Sequence, residues 1–449
     1  METAANAADR ALQKGEELVQ DTTNLSEFAS GLEAKARDRE EKMKALTWQW
    51  PNQVEVVELP KPRIIEDHDV IVQVTGSTIC GSDFQLYRGR IFQLEKGDIL
   101  GHEFCGRVES TGSAINSIKP GDRVVGSFQI ACGECSNCRL KQPSLCDCAD
   151  SDEIQRSLYG RRKPGVLGYS HLTSGFVGGQ AEYVRMPYGE ANLLKLPDDV
   201  IDEKGLYLSD VLCTSYHCVV DTGITKGSTV AIWGMGPVGL MCAHFAFQKG
   251  ASRVIGIDNS WRLGWCKTKI PKLETLDYAR VPLRSNISTE LRKMVSGEGV
   301  DFALQCAATE RARSMLHKLE MALRLEDCTS ETLNEMILSV KKFGTIGITG
   351  VYAGYTNHVN IGAVMQLGIR IIGNSQAPVS KYWKELLEQI RSGDVDPSIM
   401  ISHRIDLDDL PKAYRIFDSK QQDSMKTFVQ TRFSNPPAPG TLPVVGLQA

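Results

Sequence analysis

From Met43 to about Leu194 the apolar positions come in short β-rich runs, such as 69–74 and 123–126, with glycines at 101, 106, 112, 121 and 126 between them. Many short strands joined by glycine turns predict a compact β-barrel-like domain. From about Thr229 the texture changes. Strand-like runs at 229–233 and 253–258 flank a helical run at 237–249, and 343–349 and 370–373 are later strand candidates. Strands alternating with helices predict a parallel, doubly wound sheet, with 370–373 closing it before the chain returns to the first domain. Before Met43, Leu25, Phe28, Leu32 and Ala36 recur at near-helical spacing in an Ala/Glu/Lys/Arg-rich stretch. That stretch reads either as a short amphipathic helix or as a partly disordered acidic extension. The tail beyond Asn435 carries Pro436, Pro437, Pro439 and Pro443 and is expected to be extended.

Length and charge narrow the possibilities. A chain of 449 residues is long enough for two domains. The net charge of −4 arises in residues 1–42, which hold 10 acidic and 6 basic side chains; the remaining 45 acidic and 45 basic residues cancel. A balanced body gives no electrostatic reason to expect nucleic acid or an anionic membrane as partner. No apolar run approaches the length that spans a bilayer. The ten acidic residues argue against a mitochondrial transit peptide, and no apolar signal segment opens the chain. Thirteen cysteines without such a signal point to a reducing compartment, most simply the cytoplasm.

Cys132, Cys135, Cys138 and Cys146 form a C-x2-C-x2-C-x7-C pattern. Thiols at that spacing can surround one ion, and four soft thiolates suit a zinc with no open coordination position. The pattern therefore predicts a structural zinc; two disulfides would be the alternative in an oxidising compartment. Gly234-Met235-Gly236-Pro237-Val238-Gly239 follows one predicted strand and opens a helix. Gly234 suits a tight turn, Gly236 close approach to a pyrophosphate, and Gly239 close packing of helix on strand. Asp258 lies 19 residues past Gly239 at the end of the next strand, where a carboxylate accepts from ribose hydroxyls and repels a 2′-phosphate. This favours NAD over NADP, with Arg262 near enough to weaken the preference. Cys80-Gly81-Ser82-Asp83 and Gly101-His102-Glu103 offer a thiolate and an imidazole for a second zinc that needs one more protein ligand. Taken singly, Cys80 is equally a small buried hydrophobe and His102 a core histidine.

Together with Lys119-Pro120-Gly121-Asp122-Arg123-Val124 and Gly178-Gly179-Gln180-Ala181-Glu182-Tyr183, these motifs resemble the zinc-dependent medium-chain alcohol dehydrogenase family from about Met43 to Phe433. Leu208-Ser209-Asp210-Val211-Leu212 and the insertion before Gly178 look most like its formaldehyde dehydrogenase branch, in which an aspartate replaces a cysteine as catalytic zinc ligand. The resemblance implies an α/β architecture: an extension at 1–42, a β-rich GroES-like catalytic domain at 43–211 and a Rossmann domain at 212–375. A return at 376–435 and a Pro-rich tail at 436–449 complete it. It implies that Cys80, His102 and Asp210 bind the catalytic zinc, with Cys213 as the rival third ligand. Glu103 would approach that metal during ligand exchange, Asp83 would fix the His102 tautomer, and Thr214 would lie against the nicotinamide. Ser82 would take the alcohol proton; its alternative is an ordinary turn hydroxyl.

The family often places a relay histidine three residues after that serine, where this chain has Gln85. His217 and His171 are substitutes on sequence proximity alone. Phe84 and Phe92 are possible pocket walls, equally at home in a core. The expected activity is hydride transfer between a small alcohol or aldehyde and NAD by a zinc enzyme, assembled as a homodimer or homotetramer. The alternative is a catalytically silent NAD- and zinc-binding sensor or scaffold.

Overall fold

The computed structural model describes residues 37–444 except 92, 149–163, 283, 308–316, 318–327, 353–355 and 420–422, together with Leu447. The expected N-terminal helix, Phe92 and, of the insertion before Gly178, residues 149–163 lie outside the described residues. Two units are present, residues 1–209 with 403–449 and residues 210–402.

The first unit opens with an antiparallel hairpin, β1 (Arg37–Trp50) and β2 (Gln53–Pro62). β3 (Val70–Ser77), β4 (Phe104–Thr111), β5 (Arg123–Gly126), β6 (Tyr183–Met186) and β7 (Leu193–Lys195) follow. Alternation along β3 explains how one strand serves two cores. Val70, Val72 and Val74 pack with Phe104, Val124 and Val184 on one face. Ile71 turns to Met43, Ala45, Ile99 and Tyr183 on the other. A period of two with both faces covered produces the nearly continuous apolar run read in the sequence. β3 pairs antiparallel with both β4 and β6.

The second unit holds β8 (Thr229–Trp233), β9 (Arg253–Asp258), β10 (Glu274–Asp277), β11 (Val300–Gln305), β12 (Val340–Ile348) and β13 (Arg370–Gly373). They form a six-stranded sheet in the order β10-β9-β8-β11-β12-β13, and every pairing in it is parallel. Counted from β8 this is the order 3-2-1-4-5-6 of a dinucleotide-binding sheet, whose ligand sits where the order reverses, here between β8 and β11. Ala231, Trp233, Ile255, Ile257, Ala303 and Ile346 build its core against the Ile287–Met294 and Glu331–Ile337 helices.

The chain re-enters the first unit at His403, later than the expected 376. The reason is the Val379–Ser392 helix, which stays with the second unit by packing on the Val211–Thr222 helix. Tyr216 stacks edge-on against Tyr382 at 5.4 Å and donates to Glu385 Oε1 at 2.5 Å. β14 (Ile401–Asp406) and β15 (Lys426–Gln430) then join a seven-stranded sheet, β14-β15-β3-β4-β5-β7 with β6 paired to β3 off that path. The tail has no helix or strand at 434–438, and Leu447 is buried among Leu46, Tyr414 and Ile405.

Candidate active site

β3 ends at Ser77 and delivers Cys80 just before the short Asp83–Tyr87 helix, while His102 and Glu103 immediately precede β4. Asp210 is the residue at which the chain leaves the first unit, joined directly to Ser209. The donor atoms of Cys80, His102, Glu103 and Asp210 all lie within 4.8 Å of one another. His102 is 4% exposed, and Asp83 Oδ1 lies 3.1 Å from its Nδ1. A proton held on Nδ1 leaves the Nε2 lone pair for a metal.

Asp83 is fixed in turn. Its Oδ2 accepts from the Cys80 backbone N–H at 2.8 Å and from Gln180 Nε2 at 3.3 Å. Gln180 Oε1 accepts from the buried Tyr414 hydroxyl at 3.0 Å. Burial pushes the Tyr414 phenol well above its ordinary range, so it remains a donor. Glu103 is 1% exposed and takes a different partner: Lys426 Nζ, itself 2% exposed, lies 2.5 Å from Oε1. Ser209 Oγ donates to Glu103 Oε2 at 3.4 Å. The rival ligand Cys213 is outside this group; it is fully buried and its thiol donates to the Val379 carbonyl at 3.7 Å.

The four-cysteine loop differs in kind. The sulfurs of Cys132, Cys135, Cys138 and Cys146 also lie within 4.8 Å of one another, and here backbone N–H groups reach the sulfurs themselves. Cys132 Sγ accepts from Glu134 and Cys135 at 3.4 Å. Cys146 Sγ accepts from Cys132 at 3.3 Å and Cys148 at 3.5 Å. Burial pushes the Cys135 thiol up, yet backbone N–H groups and the neighbouring thiols outweigh it and bring it to about 6. Such N–H donors favour thiolates, the form that binds a metal. The four sulfurs fit a tetrahedral zinc, and the mixed set of thiolate, imidazole and carboxylate fits a zinc with an accessible position.

In the second unit, Gly234 has φ +93° and its N–H donates to Ile257 O at 2.9 Å. A Cβ on Gly239 would fall 1.9 Å from the Gly234 carbonyl, whereas one on Gly236 would meet nothing within 4 Å. Gly239 is thus demanded by helix packing, and Gly236 borders open space at the start of the Pro237–Gln248 helix, where it has no side chain to cap the free N–H groups. That cradle fits a pyrophosphate. Pro237 occupies the first helical turn and Val238 O accepts from Ser215 Oγ. Asp258, 6% exposed, accepts from Met235 N and Asn259 N, each at 2.7 Å, and Arg262 Nη1 lies 3.6 Å from its Oδ2.

Residues 66–198 match the family model of the alcohol dehydrogenase GroES-like domain. A zinc-type alcohol dehydrogenase-like protein of Schizosaccharomyces pombe is 39% identical over 388 residues, covering 86% of this chain and 90% of that protein. The chain belongs to the zinc-type alcohol dehydrogenase family. A glutathione-independent formaldehyde dehydrogenase of Pseudomonas aeruginosa is 33% identical, covering 82% of this chain and 93% of that one. Among solved structures, the alcohol dehydrogenase TADH from Thermus sp. ATN1 matches with a TM-score of 0.71 and 30% identity, covering 87% of this chain and all of that one. Membership makes the chain a zinc-dependent alcohol or aldehyde oxidoreductase; no finding favours the silent sensor or scaffold.

Other expected residues of this dehydrogenase fall as follows. Ser82 is half-buried before the Asp83–Tyr87 helix and its hydroxyl makes no cap hydrogen bond. Thr214, expected at the nicotinamide, has its hydroxyl on Asp210 Oδ1 at 2.5 Å. His171 is held by Asp98 at 3.1 Å and His217 by the Tyr382 hydroxyl at 3.0 Å; neither belongs to the metal-ligand group. Gln85 is buried, and Phe84 packs against Tyr414. Sequence reasoning missed Lys426, Ser209 and Tyr414 as partners of the site, and Gln180 was quoted only as part of a motif. Lys426 stands 323 residues from Glu103, so no local pattern links them. It also missed a third sulfur group, Cys218, Cys242 and Cys306, whose members are scattered over 89 positions.

Proposed function

We propose that this dehydrogenase oxidises a small alcohol, or the hydrate of a small aldehyde such as formaldehyde, with NAD as hydride acceptor, and runs the reverse reaction through the same residues. The convergence of Cys80, His102 and Asp210 beside Ser82 carries the proposal. Those three residues would hold a zinc, which when bound would supply Lewis-acid polarisation of the substrate oxygen and lower its pKa toward neutrality. Asp83, backed by Gln180 and Tyr414, orients His102 as a ligand. Lys426 pairs with Glu103 behind the ligands. Ser82 accepts the substrate proton. Gln85 cannot carry it onward, because an amide does not titrate near neutrality, so water and ribose hydroxyls take it out.

The glycine turn and the open helix N-terminus bind the pyrophosphate, and Asp258 accepts from the ribose hydroxyls. Its two oxygens each hold one backbone N–H already, which aims their remaining lone pairs. A carboxylate so placed disfavours a 2′-phosphate, while Arg262 offsets part of that charge; the expected order is NAD over NADP. A homo-oligomer is proposed through the outer edge of the second unit. Edge strand β13 exposes Ile371, and the preceding Ile361–Leu367 helix exposes Ile361 at 68% and Met365 at 71%. Thirteen cysteines free of disulfides suit a reducing cytoplasm.

The test is reduced-nucleotide production from formaldehyde, ethanol and a polyol with NAD and with NADP. Turnover with NAD on formaldehyde or a small alcohol is expected. Absence of turnover on the whole panel, or a clear preference for NADP, overturns the respective part.

A further inference from the structure

The Val211–Thr222 helix, the Pro237–Gln248 helix and the exit of β11 each contribute one cysteine to a common point. Cys218, Cys242 and Cys306 have their sulfurs within 4.8 Å of one another, and Cys306 Sγ lies 3.7 Å from Cys242 Sγ. Cys218 and Cys242 are fully buried, whereas Cys306 is only partly so. Unlike the zinc-loop sulfurs, none of the three accepts a backbone N–H among the described residues. The Cys242 thiol instead donates to the Ser215 carbonyl at 3.6 Å. Three thiolates in an apolar core without such donors would carry unsolvated charge, which argues against a metal. A disulfide is neutral before and after it forms.

We propose that Cys306 and Cys242 are a peroxide-oxidised pair whose disulfide weakens dinucleotide binding at the adjoining glycine turn. Cys306 passes its proton to the adjoining Cys218 sulfur and, as a thiolate, attacks one oxygen of hydrogen peroxide. The O–O bond breaks, the departing hydroxide takes up that proton as water, and a sulfenic acid remains on sulfur. Cys242 Sγ then attacks that sulfur, the S–O bond breaks, and the oxygen leaves as a second water with the Cys242 proton. Two thiols lose two electrons, one peroxide gains them, and one S–S bond is made.

The consequence for the nucleotide follows from position. Bonding requires the sulfurs to close from 3.7 Å to about 2.05 Å, so the β11 exit or the Pro237–Gln248 helix must shift. The Cys306 N–H donates to Trp233 O at 2.8 Å at the end of β8, and a Cβ on Gly234 would meet Ala307 Cβ at 2.5 Å. The glycine turn therefore has little room to stay in place when its neighbours move. This consequence rests on the nucleotide reading above; the disulfide itself does not.

The test treats full-length, zinc-loaded protein with rising hydrogen peroxide, alkylates the remaining thiols under denaturation, and maps peptides. NADH binding is followed by fluorescence before oxidation, after it, and after dithiothreitol. A Cys242–Cys306 cross-linked peptide is expected, with NADH affinity lowered about tenfold and restored by the reductant. Cys306→Ser should show no peroxide effect on affinity, and Cys242→Ala serves the same purpose if the serine variant does not fold. Full alkylation of Cys242 and Cys306 once the exposed Cys148 has been oxidised overturns the proposal. So does a loss of affinity that persists in Cys306→Ser, or a cross-link that leaves affinity unchanged. If the untreated protein does not bind NADH, the nucleotide reading has failed, and the peptide map alone still decides whether the pair oxidises.

Discussion

The two groups of candidate metal ligands contrast in how the chain builds them. All four sulfurs of the loop come from 15 consecutive positions, 132–146, and the loop's own backbone N–H groups turn toward them. Asn137 Nδ2 closes the same loop by donating to Leu145 O at 2.6 Å and to Asp147 Oδ2 at 2.9 Å. The other group takes Cys80, His102 and Asp210 from three distant segments, and its support comes from farther still. Gln180, Tyr414 and Lys426 are spread through the first unit and are buried. A site that staples needs only local chemistry and leaves no vacant position. A site that does chemistry needs an open position and ligands aimed by groups that have no room to move.

Separating the two groups by mutation should give the largest effect. Asp210→Ala should lower zinc from about two to about one per subunit and cut kcat/KM by roughly three orders of magnitude, about 4 kcal/mol. Cys146→Ser should also remove one zinc but act chiefly on stability, with Tm falling by roughly 6 °C if the lost metal is worth about 3 kcal/mol. Elemental analysis and thermal unfolding on both variants decide; loss of both zincs from either one would mean the groups are not independent.

Next in size is Lys426→Met, which leaves the Glu103 carboxylate buried without its cation, at a cost of about 3 kcal/mol. The double variant Lys426→Met/Glu103→Gln should recover a large part of that in denaturant unfolding. Equal destabilisation of single and double variants would show that the loss came from packing around the lysine stem.

A smaller effect is expected from Asp83→Asn. It should weaken zinc at the mixed group roughly 10- to 100-fold, read by competition with a chelator, while the four-cysteine loop keeps its metal. An unchanged affinity would mean that the contact to His102 contributes nothing to ligand orientation.

The smallest change is Gln85→His. A titratable ring three residues after Ser82 should raise turnover below neutral pH by no more than about tenfold, well short of the roughly 100- to 10,000-fold of a full general acid–base step, because water and ribose hydroxyls already carry the proton. A pH–rate profile identical to wild type would point to another exit for the proton.

Chemistry carried by neighbours along the chain was readable directly. The four-cysteine spacing, the glycine turn between β8 and its helix, and Asp258 at the end of β9 are local because a loop, a strand–turn–helix and a strand end are local objects. The strands at 123–126, 229–233, 253–258 and 370–373 have the predicted limits, since their apolar runs end where turns begin. The choice between Asp210 and Cys213 was open in the sequence by itself, because zinc accepts either donor and only three residues separate them. In the folded chain Asp210 lies with Cys80 and His102, whereas Cys213 turns to Val379. The return at His403 rather than 376 was likewise hidden, because a helix shows its apolar face in sequence but not the partner that covers it. Lys426 beside Glu103, Tyr414 beside Gln180, and Cys218, Cys242 and Cys306 together are products of long-range packing. Burial, not spacing, brings such groups within a few ångströms of one another, and only the folded chain determines which groups those are.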